Sequence, residues 1–361
     1  MAPARLLRPA ANCLRAAKPL ATRTYVSASS TAKPRHLLTI ADLTPEELTT
    51  LVRNAAAHKH AVKGSSTVPS PLSTSLLNCT IAMPFTKRST RTRVSTEGAV
   101  ALMGGHPMFL GSGDIQLGVN ESLRDTGVVI SSMVSGIVAR VNGHEVVEGL
   151  AEWSSVPVIN ALSDSFHPLQ TVADYLTILE AFPSSKSKAG SLGVEGLKIA
   201  WVGDANNVLF DLAIASAKLG VNISVATPKG YEIPTAMREL ILSASPTSNT
   251  SFLTETNVPE EAVKNADILV TDTWVSMGQE DEAKRRLAAF AGFQITSELA
   301  KRGGAKEGWK FMHCLPRHPE EVSDEVFYDE SKSLVFPEAE NRLWSAVSVL
   351  EGFVVNKGKI V

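Results

Sequence analysis

Apolar positions along this chain recur with two alternating spacings. Thr44, Pro45 and Glu47 supply a capping hydroxyl, a first-turn proline and a capping-box acid for a helix through Leu48, Leu51, Val52 and Ala55, so folded structure is expected from about residue 36. The run from Leu77 to Phe85 is strand-like, and beyond Thr86 to Ser89 an amphipathic pattern follows through Val94, Ala99 and Leu102. Pro107 to Leu110, Val128 to Met133, Gly136 to Arg140 and Val156 to Asn160 continue an alternation of strand and helix, and Leu169 to Phe182 reads as helix. This order predicts a parallel-sheet domain.

Pro183 to Gly196 has a linker composition of Ser, Lys and Gly, and we place a domain boundary there. The same architecture then returns, with strands at Lys198 to Val202, Val221 to Ala226, Ile268 to Thr271 and Lys310 to Cys314, and a helix at Val208 to Leu219. Glu338 to Val354 predicts a closing amphipathic helix with Leu343, Trp344, Val347 and Leu350 on its apolar side. The fold class expected is α/β, with two similar domains, each a parallel sheet flanked by helices. At 361 residues and 44% hydrophobic, the chain is long enough for two cores.

Charge changes the picture at the N-terminus. Before the first acid, Asp42, come Arg5, Arg8, Arg15, Lys18, Arg23, Lys33 and Arg35, interleaved with Ala, Leu and Ser but with no long apolar block. That composition predicts a cleaved mitochondrial presequence over residues 1–35, delivered to the matrix by the import machinery. Removing these seven cations leaves 28 Lys and Arg against 37 acids, a net charge near −9, which argues against a nucleic-acid partner. No apolar run reaches the roughly 18 residues of a membrane-spanning helix. Cys13, Cys79 and Cys314 form neither a disulfide scaffold nor a zinc spacing, and His58 and His60 lack clustered carboxylates, so no metal is expected.

Two constellations carry candidate chemistry. Ser89-Thr90-Arg91-Thr92-Arg93 stands where a strand ends and a helix begins, so backbone N–H groups, hydroxyls and guanidinium groups converge on a phosphate-sized point. The helix dipole offers only about 0.3–1 kcal/mol there, against about 1.5–3 for each charge-assisted hydrogen bond, so the donors dominate. Arg93 lies one turn before Glu97, where a structural ion pair is equally natural. The second constellation is Asp272-Thr273-Trp274-Val275-Ser276-Met277-Gly278, a carboxylate and a hydroxyl on one loop after an apolar strand.

The segment Phe85 to Arg93 resembles the carbamoyl phosphate loop shared by aspartate and ornithine carbamoyltransferases, and more of that family's pattern follows in order. It includes Asp114-Ile115-Gln116-Leu117-Gly118, Ala139-Arg140, Phe166-His167-Pro168-Leu169-Gln170, His313-Cys314-Leu315-Pro316-Arg317 and Glu340-Asn341-Arg342. The likeness is to the fungal-like mitochondrial form. It implies a carbamoyl phosphate domain over 36–182, completed by a C-terminal helix, 338–361, that closes back on it, and an ornithine domain over 183–337. One departure is visible: Thr96 stands where many members carry an aromatic residue.

The resemblance implies transfer of a carbamoyl group from carbamoyl phosphate to the δ-amine of ornithine, in arginine biosynthesis and the urea cycle, with no cofactor. It assigns Ser89, Thr90, Arg91 and Thr92 to the phosphate, Arg140 to phosphate and carbonyl oxygen, His167 to the carbonyl oxygen, Gln170 to the carbamoyl amine, and Arg342 to the same site. Cys314 and Leu315 would lie against the carbamoyl group and the δ-amine. Asn207, Asp272, Ser276 and Met277 would hold ornithine, with Asp272 on the α-ammonium. Arg140, His167, Cys314 and Asp272 are the catalytic candidates. A homotrimer is implied, with Gln116 reaching a neighbour's site. Rival readings are a carbamoyltransferase for aspartate, putrescine or an acylated ornithine; a dehydrogenase, which the missing GxGxxG after Trp201-Val202-Gly203 opposes; and a non-catalytic binding protein, which the intact polar set opposes.

Overall fold

In the computed structural model, which describes residues 33–113, 115, 117, 121–183, 190–247, 250–275 and 282–361, the capping signal at Thr44 does what its chemistry dictates. The Thr44 hydroxyl accepts from Glu47 N, the Glu47 carboxylate accepts from Thr44 N at 2.9 Å, and α1 runs Pro45–Lys63. Just before it, Leu37 N donates to Val158 O and Leu37 O accepts from Asn160 N, which ties this segment to the first sheet. The expected presequence lies outside the described residues, except for its last three, 33–35.

The first sheet contains β1 (Thr80–Phe85), β2 (His106–Gly111), β3 (Gly136–Arg140) and β4 (Val158–Leu162), all parallel, in the order β2-β1-β3-β4. Connecting helices are α2 (Arg91–Leu102), α3 (Leu123–Ser131) and α4 (His144–Trp153), and α5 (Pro168–Ala181) leaves the last strand. Two strands differ from expectation. The first starts three residues late because the chain turns between Leu76 O and Cys79 N with Asn78 in the left-handed region, φ 64°. The fourth is displaced two residues toward the C-terminus, ending at Leu162.

The second sheet contains β5 (Lys198–Val202), β6 (Asn222–Ala226), β7 (Leu253–Thr256), β8 (Ile268–Val270) and β9 (Lys310–Met312), again all parallel, in the order β7-β6-β5-β8-β9. Around it lie α6 (Asn207–Leu219), α7 (Thr235–Ser243), α8 (Pro259–Val263), α9 (Ala283–Ala289), α10 (Ser297–Gly303) and α11 (Asp324–Phe327). The strand β7 is not among the expected ones, because its residues alternate with Thr and Glu at an edge and only Leu253 is buried. In the expected linker, residues 184–189 lie outside the described set, while Leu192 and Val194 are buried in the core rather than loose.

The closing helix α12 runs Val335–Leu350, starting three residues earlier than expected, and continues as a wider turn through Glu351–Val355. It packs on α5, α2 and α1, so the C-terminus does return to the first sheet's layer. Trp344, Val347 and Leu350 are buried as expected, and Leu343 is half-buried.

Topology already marks where a ligand belongs. In each sheet the strand order reverses beside the first strand, between β1 and β3 and between β5 and β8. Loops leaving such a pair in opposite directions open a crevice at the strands' C-terminal ends.

Candidate active site

A cleft of about 620 Å³ lies at those strand ends, lined from the first sheet by Ser89, Thr90, Arg91, Thr92, Arg140, His167 and Gln170, from the second by Asn207, Asp272, Cys314 and Leu315, and by Arg342 of α12. Every described residue that the resemblance assigns to the site therefore lines one cavity. Gln116, Ser276 and Met277 lie outside the described residues, as do Asp114, Gly118 and Gly278.

On the first wall, β1 ends and the chain turns at Ser89, whose hydroxyl accepts from Thr92 N at 3.2 Å and so caps α2. Thr92 is buried, and its Oγ1 accepts from Arg140 Nη1 and from Arg342 Nη2, each at 3.2 Å. Its own O–H is thereby left as a donor. Arg140 follows an irregularity in the β3–β4 register between Ala139 and Arg140, a local device that re-aims a strand-end side chain. Arg91 donates through Nη2 to the carbonyl of Leu315, a residue held at φ 61°, sparsely populated for a branched side chain.

Three guanidinium groups thus converge here, and among the described residues none forms a salt bridge with a carboxylate. Burial, reinforced by neighbouring cations, lowers both Arg140 and Arg342 to about 10. Their Nε atoms and His167 Nδ1 are buried without a protein partner, as a site for an anion requires. Burial first, then Arg342, Arg140 and Arg91, hold His167 well below its ordinary value, so its imidazole is neutral and can donate a single N–H. Lys87, also on the rim, is lowered by burial and by Arg140.

His167 sits just ahead of α5, and its backbone N–H donates to Asp211 Oδ2 at 2.8 Å. Asp211 was not singled out from the sequence. It is fully buried on α6, also accepts from Thr39 Oγ1 and Ile40 N, and is pushed up to about 7 by burial despite those bonds. A lone acid inside Val208-Leu209-Phe210-Asp211-Leu212-Ala213 was the available signal. Arg93, by contrast, pairs with Glu97 at 2.9 Å and lies over the Phe109 ring, outside the cleft lining. Thr96 is buried with its hydroxyl lacking a protein partner.

The second wall is built from β5, β8 and β9. Gly203 ends β5 at φ 150°, and a Cβ there would meet Thr271 Oγ1 at 2.9 Å, so only glycine lets these loops approach. Asn206 caps α6 by accepting from Val208 N and Leu209 N, and its amide donates to Asp272 Oδ2 at 2.8 Å. Asn206 thus serves both the helix start and the acceptor carboxylate. Asn207 Nδ2 donates to Ser163 O. Cys314 donates its thiol to Asp272 Oδ1 at 3.1 Å. Burial, then the charges of Asp272 and Glu338, push that thiol well above its ordinary value, so it is no thiolate nucleophile. Among the described residues Asp272 has no cation partner.

Behind this wall, paired charges hold the loop. Arg286 of α9 bonds Asp204 and donates through Nε to Trp274 O, and Trp274 stacks on Phe290. Glu321, fully buried, accepts from Trp274 N and from both His313 Nε2 and His318 N.

Two family models match the chain: aspartate/ornithine carbamoyltransferase, carbamoyl-P binding domain, over residues 35–180, and aspartate/ornithine carbamoyltransferase, Asp/Orn binding domain, over residues 195–352. A curated mitochondrial ornithine carbamoyltransferase from Aspergillus terreus is 68% identical over 360 residues, covering 98% of this chain and 99% of the relative. Another, from Emericella nidulans, is 73% identical over 91% of each chain. The crystal structure of a mitochondrial ornithine carbamoyltransferase from Coccidioides immitis superposes with TM-score 0.84 at 66% identity, over 91% of this chain and 100% of that one. An ornithine carbamoyltransferase from Pyrococcus furiosus gives 0.80 at 42% identity, over 90% and 98%.

Proposed function

The chain belongs to the aspartate/ornithine carbamoyltransferase family, and from that premise we infer that it transfers the carbamoyl group of carbamoyl phosphate to the δ-amine of L-ornithine. The products are L-citrulline and phosphate, and the setting is the mitochondrial matrix. The observation that carries the reading is one cleft with three guanidinium groups on one wall and a carboxylate on the other, none of them in a salt bridge among the described residues. Its first wall suits an anhydride of phosphate, its second an amino acid's ammonium group.

We assign carbamoyl phosphate binding to a domain over 36–182 completed by 338–361, and ornithine binding to a domain over 183–337. Ser89 to Thr92 receive the phosphate with Arg91 and Arg140. Arg140, the neutral His167 and the Thr92 hydroxyl face the carbonyl oxygen, and Gln170 takes the carbamoyl amine beside Cys314 and Leu315. Asp272 takes the α-ammonium, oriented by the Asn206 amide, and Asn207 takes the α-carboxylate. Ser276 and Met277 complete this half, and Gln116 serves a neighbouring subunit.

The δ-amine attacks as the neutral species, a minority at pH 7 because an alkyl amine titrates near about 10.4. The C–N bond forms, the carbonyl oxygen gains charge against Arg140, His167 and Thr92, and the C–O bond to phosphate breaks. The attacking nitrogen's surplus proton leaves with the phosphate. Cys314 stays protonated, so no enzyme-bound intermediate forms. Holding both substrates in contact contributes about 7–11 kcal/mol in well-oriented systems.

A homotrimer fits the apolar side chains that α3 and α4 leave exposed, Val128, Val129 and Trp153, with Met133 beyond them. A neighbouring copy would cover them. The reading is tested by supplying purified protein with carbamoyl phosphate and ornithine: citrulline and phosphate appear in equal amounts, and absence of citrulline rejects it.

A further inference from the structure

Gln170 is gripped by two acids that were not singled out from the sequence. Its Nε2 donates to Asp174 Oδ1 at 2.8 Å and to Glu338 Oε1 at 3.1 Å, while its Oε1 accepts from Arg342 Nη1 at 2.6 Å. A side-chain amide has two N–H hydrogens, and both are used here. The amide cannot flip without setting its oxygen against two carboxyl groups. Asp174 is 3% exposed on α5 and Glu338 2% exposed on α12, and among the described residues neither has a salt-bridge partner. Both carboxyl groups accept from the same amide nitrogen, which sets them side by side, and Glu338 Oε2 also accepts from His313 N at 2.9 Å, next to Cys314. Two ionised carboxylates this close in a dry interior repel strongly, whereas one proton between them turns repulsion into a hydrogen bond.

We infer that Asp174 and Glu338 share one proton and act as a positioning pair, fixing the Gln170 carbonyl oxygen and the Arg342 guanidinium toward the carbamoyl group. The inference deepens the carbamoyl phosphate reading and rests on it. It gives that reading a chemical selectivity: an acceptor lone pair facing the carbamoyl –NH2, which an acyl phosphate carrying a methyl group in that place cannot satisfy. Burial raises both acids, and Asp272 raises both further. Arg342 pulls Asp174 back down, and the His313 backbone N–H does so for Glu338. Cys314, His167, Arg140 and Arg91 are the other titratable groups facing Gln170 and Arg342 among the described residues.

Asp174→Asn in the full chain separates this from plain packing. The amide introduced there keeps an oxygen for Gln170 and can place its nitrogen toward Glu338, supplying by a fixed N–H the hydrogen bond that the shared proton supplied. This variant should keep kcat and the KM for carbamoyl phosphate within about threefold, whereas Asp174→Ala should lose more than about tenfold in kcat/KM. Infrared difference spectra at mildly alkaline pH, parent minus Asp174→Asn, should show the C=O band of a protonated carboxyl that the variant lacks. An Asp174→Asn protein that fails to fold, that is as damaged as Asp174→Ala, or that yields no such band overturns the inference. The infrared band does not depend on turnover, so a parent that shows the band but makes no citrulline would sink the functional reading and leave the shared proton standing.

Discussion

Along the first wall of the cleft Arg91, Arg140 and Arg342 bond to a carbonyl, a hydroxyl and an amide, whereas along the second Asp272 bonds to an amide and a thiol. Directly behind the second wall the rule is different: Arg286 meets Asp204 as a full ion pair, and the Glu321 carboxylate is met by His313 Nε2, His318 N and Trp274 N. A buried charge ordinarily needs an opposite charge, because desolvating it alone costs several kcal/mol. Neutral partners orient a charge without cancelling it. The cleft therefore keeps positive charge for one substrate and negative charge for the other, while the scaffold neutralises its own.

This arrangement has a stability cost with a definite sign. The guanidinium groups of Arg140 and Arg342 fall from their ordinary value to about 10 on folding. The folded state therefore binds their protons less tightly, and the penalty is fully present below about pH 10 and relieved as pH rises from there toward the ordinary guanidinium value. Binding a dianion repays it at neutral pH.

The largest effect should come from breaking the first wall. Arg140→Ala should lower kcat by about 10³-fold, since a charged donor to the developing oxyanion is gone, while thermal unfolding shows no loss of stability. Near-normal turnover in a folded variant would remove Arg140 from the chemistry. Breaking the second wall should be smaller and one-sided: Asp272→Asn should raise the ornithine KM about 10²-fold and leave that for carbamoyl phosphate nearly unchanged. Equal weakening of both substrates would erase the distinction between the walls.

The pH profile sharpens it further. With His167 held neutral and Cys314 held protonated, kcat/KM for ornithine should climb roughly tenfold per pH unit below the amine's pKa of about 10.4. An inflection from His167 near its ordinary pKa would show that it changes charge in the reaction. Smallest of all, Cys314→Ser keeps a neutral donor to Asp272 and should cost less than about tenfold in kcat. Complete inactivation would mean the sulfur does more than donate.

Much of this was legible because strand ends gather chemistry. Ser89, Arg140, Asn207, Asp272 and Cys314 each follow an apolar run, and each falls at or just past a strand's C-terminal end. Arg342 and Gln170 carried no such local signal and were readable only by resemblance, since their partners lie far along the chain: Gln170 meets Arg342 across 172 positions. Asp174, Asp211, Glu338 and Arg286 were passed over for the same reason. An acid in a helix normally reads as solvated surface, and its burial depends on a distant segment, as Thr39 lies 172 positions from Asp211. The strand limits erred where single residues decide them, at Asn78 and at the edge strand Leu253–Thr256.

The central claim, a cationic wall for the anhydride and an anionic wall for the diamino acid, is tested most directly by the acceptor. Citrulline formation from ornithine should be compared with carbamoylation of aspartate under identical conditions. The account predicts a kcat/KM ratio of about 10⁴ or more in favour of ornithine, because aspartate brings a second carboxylate toward Asp272. Comparable rates with aspartate would contradict it.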